Sequence, residues 1–248
     1  MSNAADTPVL RARGLRKAYG KGEGLVRAVD GVDLDIAAGE TVAIMGPSGC
    51  GKSTLLHLLG GLDRPSAGEV LLHGRRIDDI SEKALARMRR TAVGFVFQSF
   101  HLMEELTAIE NVELSALLAG HSPRAARRRA ADLLDQVGLA DRARFLPAAL
   151  SGGQRQRVAV ARALSNEPLV VLADEPTGNL DSAATLDVLQ LFESLHKSGQ
   201  TLVIVTHDAR IAATADRLIS MRDGVFVDET RLTGGTTGQL GALAGLED

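Results

Sequence analysis

A glycine-rich string that ends in lysine and serine is the strongest chemical signal in the sequence. It matches the phosphate-binding pattern G-x-x-x-x-G-K-[ST], between a predicted strand and a predicted helix. Its residues are Gly46, Pro47, Ser48, Gly49, Cys50, Gly51, Lys52, Ser53 and Thr54. Glycines let successive backbone N–H groups turn towards an anion, and the helix start adds partial positive charge. Lys52 would reach the outer phosphates and Ser53 would offer its hydroxyl to Mg²⁺. The string therefore predicts a polyphosphate site rather than a simple glycine-rich turn.

Two adjacent acids follow an apolar run at residues 169–173. The run predicts a buried strand, and Asp174 at its tip would hold the Mg²⁺ that Ser53 also contacts. Glu175, one residue later, would orient and deprotonate an attacking water. Taken alone, the pair is best explained as a solvated strand end. Together with the phosphate loop it favours hydrolysis of a bound polyphosphate.

A second glycine pair begins another predicted helix. The string Leu150, Ser151, Gly152, Gly153 and Gln154 leads into the helix predicted at 151–164. Ser151 is typical of an N-cap, and the glycines permit close approach of the backbone to an anion. A plain helix cap would explain this string if it were the only evidence.

Composition narrows the function classes. The 248 residues include 28 Lys and Arg against 31 Asp and Glu, so the net charge is −3 and a strongly basic nucleic-acid binder is excluded. Six Phe, one Tyr and no Trp offer few platforms for stacking single strands. One cysteine cannot build a disulfide framework and favours a reducing compartment. No stretch predicts a membrane span or a secretory signal, so we expect any membrane connection to come through a partner.

Strands and helices must alternate along most of the chain to position these residues. The predicted strands are 9–15, 29–36, 41–45, 69–72, 93–97, 169–173 and 202–205, with a hairpin at 217–221 and 225–229. The predicted helices are 53–59, 84–90, two within 107–138, then 151–164, 183–196 and 209–214. This alternation predicts an α/β fold with a mainly parallel sheet. Helices alone occupy about 99–150, which predicts an inserted helical subdomain.

The order of these motifs resembles that of the ATP-binding cassette (ABC) ATPases. Gln98 lies between the phosphate loop and the Leu-Ser-Gly-Gly-Gln string, and His207 follows the Asp-Glu pair. The resemblance covers about residues 9–229, and Leu-Ser-Gly-Gly-Gln separates this family from other phosphate-loop proteins. Four further strings are similar to the lipoprotein-release and macrolide-efflux group, the MacB/LolD type. They are HLLGGLD at 57–63, VGFVFQ at 93–98, TAIENV at 107–112 and ADEPTGNLD at 173–181.

The resemblance implies roles for several further residues. Tyr19 would stack on adenine, and Gln98 would sense Mg²⁺ and the attacking water. His207 would hydrogen-bond the γ-phosphate, and Asp181 would lie in a loop that crosses between subunits. The residues that would contact ATP held by a second copy are Ser151, Gly152, Gly153 and Gln154. Each of these residues also has a simpler explanation. Tyr19 would be a surface tyrosine, Gln98 a polar residue at a strand end, His207 a structural histidine and Asp181 a helix cap.

The resemblance also implies an architecture and a function. We expect a P-loop NTPase (RecA-like) core with a mainly parallel sheet, an N-terminal antiparallel β subdomain and a helical subdomain inserted at about 99–162. A single domain would cover 8–230, followed by a Gly/Thr-rich tail at 231–248. The chain would bind ATP and Mg²⁺, hydrolyse ATP, and form an ATP-sandwich dimer with a second copy of itself. It would power an integral membrane permease, at the cytoplasmic face of the inner membrane, that moves lipids, lipoproteins, peptides or drugs.

Two other functions stay open at this point. One is an ATPase that signals across the membrane, as in the cell-division relative, and the other is an ABC ATPase that works without a transporter. No nucleic-acid partner is expected, because the arginines at 124 and 127–129 are better explained as a solvated helix face. Cys50, inside the phosphate loop beside Lys52, predicts a reactive thiol that bound nucleotide would protect.

Overall fold

Two β-sheets form the frame of the chain in the computed structural model, which describes residues 8–232. The first sheet is antiparallel, with the strand order β2-β1-β4-β5. Its strands are β1 (Leu10–Tyr19), β2 (Val26–Ile36), β4 (Ala67–Leu72) and β5 (Arg75–Arg76). The predicted antiparallel β subdomain is confirmed. The predicted tail lies, from residue 233 onwards, outside the described residues.

The second sheet is mainly parallel and carries the strand order β10-β9-β3-β8-β7-β6. Its strands are β3 (Thr41–Met45), β6 (Val93–Phe97), β7 (Val170–Asp174), β8 (Leu202–Val205), β9 (Arg217–Arg222) and β10 (Val225–Arg231). Strands β3, β7 and β8 are almost continuous apolar runs, as expected for strands that are covered on both faces. Their carboxyl ends therefore meet at one edge, where the sequence places its acids and its histidine.

Seven α-helices surround this sheet within the described part of the chain. They are α1 (Lys52–Leu59), α2 (Glu82–Ala92), α3 (Ala108–Leu118), α4 (Pro123–Gln136), α5 (Gly152–Ala163), α6 (Ser182–Lys197) and α7 (Ala209–Ala212). Side chains of Ser81, Ser122, Ser151 and Asp181 each accept an N–H bond at a helix start and so fix where those helices begin. No helix among residues 8–232 is long and apolar enough to cross a membrane.

Helices α3, α4 and α5 pack against one another and share one apolar cluster with a face of the parallel sheet. The cluster includes Val112 of α3, Leu133 and Leu134 of α4, and Val158 and Val160 of α5. The break between α3 and α4 falls at Ser122 and Pro123, as the sequence predicts, because proline fits the first helical position. The mainly parallel α/β core with added helices is confirmed.

The predicted strand at 9–15 is too short, and the two-residue β5 was not predicted. Strand β1 continues to Tyr19, with register shifts against β2 between Ala12 and Leu15 and again between Lys17 and Ala18. Bulges interrupt the two-residue alternation that a sequence pattern relies on. The extension makes Tyr19 the last residue of β1.

Candidate active site

The phosphate loop joins β3 to α1 and depends on glycine at two positions. A Cβ atom at Gly46 would overlap the carbonyl oxygen of Met221, and one at Gly51 would overlap that of Ala28. Gly51 also has a φ of 107°, which L-residues with side chains rarely adopt. Both glycines are therefore required for the loop to fold tightly between β3 and its neighbours.

Lys52 begins α1 and folds its side chain back into the loop. Its Nζ donates to the carbonyl oxygens of Gly46, at 2.7 Å, and Pro47, at 3.1 Å. Only 7% of the residue is exposed. The loop thus holds one ammonium group at its centre, where the outer phosphates of a nucleotide would need a positive charge.

Ser53 and Asp174 form a pair of oxygen ligands next to this loop. The Ser53 hydroxyl donates to Asp174 Oδ1 at 2.9 Å, across the gap between α1 and the end of β7. A hydroxyl, a carboxylate and phosphate oxygens are the hard donors that Mg²⁺ prefers, so this pair fits the ion. Among the described residues no three His, Cys, Asp or Glu side chains are placed to hold a metal ion together, and Mg²⁺ bound with substrate phosphates does not need such a group.

Glu175 is held between two cationic or polar groups at the edge of the sheet. Its Oε2 lies 2.8 Å from Nδ1 of His207, and its Oε1 lies 4.0 Å from Nζ of Lys52. A carboxylate can only accept, so Nδ1 of His207 carries the proton of that hydrogen bond. Glu175 has a φ of 45°, and its N–H donates to the Val205 carbonyl, which fixes the turn after β7. The carboxylate is thereby aimed at the space beside Lys52.

Gln98 follows β6 and is bound to the segment that leads into α6. Its side-chain amide donates to Asn179 Oδ1 at 3.2 Å, and the Asn179 amide donates back to the Gln98 carbonyl at 3.1 Å. Gly178 leaves the room for this contact, since a Cβ there would lie 2.7 Å from Gln98 Nε2. Gln98 therefore links the cleft to the loop before α6.

These side chains share one open cleft of about 560 Å³. Its lining residues are Ala28, Ser48, Gly49, Gly51, Lys52, Ser53, Thr54, Gln98, Glu175 and His207. The cleft thus brings together Lys52, Ser53, Gln98, Glu175 and His207, and Asp174 adjoins it through its hydrogen bond with Ser53. Cys50 differs, because its side chain is 5% exposed and belongs to the apolar core beneath the loop. Burial disfavours the predicted reactive thiol and leaves the backbone of Cys50 as its contribution to the loop.

The Leu-Ser-Gly-Gly-Gln string lies away from this cleft. Ser151 caps α5 in a capping box: its hydroxyl accepts from the Gln154 N–H at 3.2 Å, and Gln154 Oε1 accepts from the Ser151 N–H at 3.0 Å. A Cβ at Gly153 would lie 2.7 Å from Cβ of Ala184, so α5 packs closely on the start of α6. None of residues 151–154 lines the cleft.

Asp181 acts as a helix cap in this chain. Its carboxylate accepts from the Ala184 N–H at 2.8 Å and begins α6. Asp181 is therefore a helix cap, as its simpler explanation has it, and its role in a loop between subunits stays a prediction.

Tyr19 lies at the end of β1 and leaves 45% of its surface exposed. Its hydroxyl donates to Asp63 Oδ2 at 2.9 Å. Burial and then the hydrogen bond to Asp63 raise the pKa of Tyr19, against an opposite contribution from Thr54 of the phosphate loop. The sequence points to Tyr19 but not to its partner Asp63, although Asp63 is the last residue of the HLLGGLD string.

The glycine loop around Lys52, the Ser53–Asp174 pair and the parallel sheet define a phosphate-loop nucleotide-binding protein. The family model described as ABC transporter matches residues 29–178. The chain belongs to the ABC transporter family. It is an ATP-binding cassette ATPase whose cofactors are ATP and Mg²⁺.

Two curated relatives and one solved structure illustrate this membership. The chain is 50% identical over 224 residues to a macrolide export ATP-binding/permease protein MacB 1/2 of Paracoccus denitrificans, covering 90% of this chain and 34% of the relative. It is 50% identical over 208 residues to an ABC transporter ATP-binding protein of Thermotoga maritima, covering 84% of this chain and 89% of the relative. The dimeric, post-hydrolysis structure of the ATP-binding cassette MJ0796 with ADP and Pi matches with a TM-score of 0.84 and 42% identity, covering 91% of this chain and all of that one. The chain thus spans about a third of the MacB relative.

Proposed function

We propose that this chain is the ATP-hydrolysing subunit of a membrane transport complex, with residues 8–230 as a single cassette and a helical subdomain at about 99–162. One observation carries the proposal. The residues suited to phosphate chemistry line one cleft, whereas the Ser151–Gln154 string lies outside it, against the start of α6. A single copy therefore does not bring the Ser151–Gln154 string to the phosphates that its own cleft would hold.

We assign hydrolysis to the side chains that line the cleft and to Asp174, which is hydrogen-bonded to Ser53. Lys52 and the loop N–H groups bind the phosphates, and Ser53 and Asp174, with Gln98, hold Mg²⁺, which supplies charge stabilisation when bound. Glu175 orients and deprotonates the attacking water. His207, already bonded to Glu175 Oε2 at 2.8 Å, keeps that carboxylate in place and contacts the γ-phosphate.

A second copy of the chain supplies the missing contacts. In this proposal Ser151, Gly152, Gly153 and Gln154 of one copy contact ATP held by the other, and the loop containing Asp181 lies at the same interface. The glycine-rich start of α5 offers free N–H groups and a positive helix end to an anion. The MJ0796 cassette, of which this chain covers the full length, is described as dimeric with ADP and Pi, and this supports the arrangement.

The membrane partner is proposed to be a separate permease. The MacB relatives are described as ATP-binding/permease proteins, and this chain matches about a third of their length. Relatives of cassette length, such as the Thermotoga maritima protein, support a separate permease chain. The contact would lie near residues 98–119, where Met103 and Leu118 are about half exposed. The complex would sit in the inner membrane with the cassette on its cytoplasmic face, and move lipids, lipoproteins, peptides or drugs.

Glu175→Gln tests this proposal. The variant keeps the side-chain shape but loses the basic carboxylate, so we expect ATP binding to persist and turnover to fall at least a hundredfold. Analytical sedimentation with ATP and Mg²⁺ should then show a dimer that is absent without nucleotide. Glu193→Gln, an exposed acid on α6, is the matched control and should behave as the native chain. Turnover at the native rate, or an ATP-bound Glu175→Gln chain that stays monomeric, would overturn the proposal.

A further inference from the structure

The end of helix α1 is locked by a glycine turn that fixes the position of Asp63. The Leu62 N–H donates to the His57 carbonyl at 2.8 Å across the turn, in the pattern of a Schellman motif. Gly61 takes the left-handed conformation with a φ of 66°, and a Cβ there would lie 2.7 Å from Leu85. The turn therefore has little freedom, and Asp63 stands at a fixed place two residues beyond it.

Asp63 joins this helix end to strand β1. Its Oδ1 accepts from Nζ of Lys17 at 2.7 Å and from the Arg64 N–H at 2.7 Å, while its Oδ2 accepts from the Tyr19 hydroxyl at 2.9 Å. Lys17 also donates to the Arg64 carbonyl at 2.8 Å. Burial acts to raise the pKa of Asp63, but the bonds from Lys17, Tyr19 and the Arg64 amide outweigh it and hold that pKa below its usual range. The carboxylate is thus charged at neutral pH and engaged on both oxygens.

The ring of Tyr19 is held by its hydroxyl while nearly half of the residue faces solvent. The ammonium of Lys17 lies 5.0 Å from the ring centroid, on a side chain that is 14% exposed. An aromatic ring tied at its far end loses little further freedom when a flat ligand stacks on it. Helix α1, eight residues and about 12 Å long, runs from Lys52 of the phosphate loop to this turn.

We infer that Asp63 is a positioning residue for the nucleotide base: it holds the Tyr19 ring at a set distance from the phosphate loop, with α1 as the spacer. The inference rests on the proposed function, to which we add the role that the family resemblance implies for Tyr19, that of stacking on adenine. Asp63 itself touches neither base nor phosphate in this arrangement. Its loss should therefore weaken contacts to the base and leave contacts to the triphosphate intact.

Asp63→Ala and Tyr19→Phe provide the test, with titration calorimetry of the full chain against ATP and against tripolyphosphate, both with Mg²⁺. We expect each variant to bind ATP about three- to tenfold more weakly, with no change for tripolyphosphate. In turnover, KM for ATP should rise while kcat at saturating ATP stays the same. The double variant should lose no more than Asp63→Ala alone, since both changes remove one shared contact. Asp63→Asn, which keeps an oxygen for the hydroxyl, should recover part of the loss.

Controls separate this inference from folding and from the proposed function. Asp79→Ala removes a half-exposed carboxylate in the same region and should bind like the native chain. If Asp63→Ala fails to fold, Tyr19→Phe carries the test, because it removes only the hydroxyl. Equal losses for ATP and tripolyphosphate, or additive losses in the double variant, would overturn the inference. If Tyr19→Ala weakens ATP binding and Asp63→Ala does not, only the inference fails. If Tyr19→Ala has no effect, the proposed role of Tyr19 fails as well.

Discussion

Truncation of Lys52 to alanine should weaken nucleotide binding itself. The Lys52 ammonium donates to the carbonyl oxygens of Gly46 and Pro47 at 2.7 and 3.1 Å, which leaves one of its three N–H donors for a phosphate oxygen. The net change is then close to one charge-assisted hydrogen bond rather than two. A bond of this kind contributes about 1.5–3 kcal/mol, which corresponds to about a 10- to 150-fold rise in Kd.

Calorimetric titration with ATP and Mg²⁺ measures this change directly. Lys197→Ala removes an exposed lysine at the end of α6 and is the matched control, with the native Kd expected. Melting temperatures of both variants verify that each chain remains folded. A Lys52→Ala chain that binds ATP with the native Kd but has lost turnover would refute the reasoning, because Lys52 would then act in the chemical step alone.

Two further predictions follow from the contacts around the cleft. His207→Ala should lower kcat at least tenfold and change the Kd for ATP less than Lys52→Ala does, because His207 holds the Glu175 carboxylate through a hydrogen bond of 2.8 Å. A stopped assay measures kcat and calorimetry measures Kd; a larger loss of ATP binding in His207→Ala than in Lys52→Ala would contradict the assignment. Cys50 should react with maleimide far more slowly than a free thiol in solution, because it is 5% exposed beneath the loop. Mass spectrometry of the labelled chain measures the rate, with Cys50→Ser as the unreactive control, and fast labelling would contradict the burial of this side chain.

Local hydrophobic patterns in the sequence were sufficient to predict the strands of the parallel sheet. Strands β3, β6 and β8 begin and end as predicted, because each is a short apolar run that is buried by the helices around it. Strand β1 was predicted too short because bulges around Leu15 break the alternation, and its last residues are defined by pairing with β2. Such pairing depends on residues that are distant in sequence, so a local pattern cannot predict it.

In the candidate site, too, residues within local motifs could be predicted, whereas contacts between distant residues could not. Lys52, Ser53 and Glu175 sit in motifs whose residue types and spacing follow from phosphate chemistry, whereas the roles of Gln98 and His207 came from the family resemblance. The structure brings all five to one cleft. The contact between Tyr19 and Asp63 joins residues 44 positions apart, and nothing in their spacing predicts it. The burial of Cys50 was missed for a related reason, because the tight loop turns that side chain into the core.

In the proposed function one chain holds only part of a hydrolytic site, and a second copy completes it. The rate of ATP hydrolysis per chain, measured over a wide range of protein concentration, tests this claim most directly. Since two copies must meet before either can turn over, the rate per chain should rise with concentration and level off where sedimentation shows the ATP-bound dimer. A rate per chain that stays constant down to concentrations at which only monomer sediments would contradict the account.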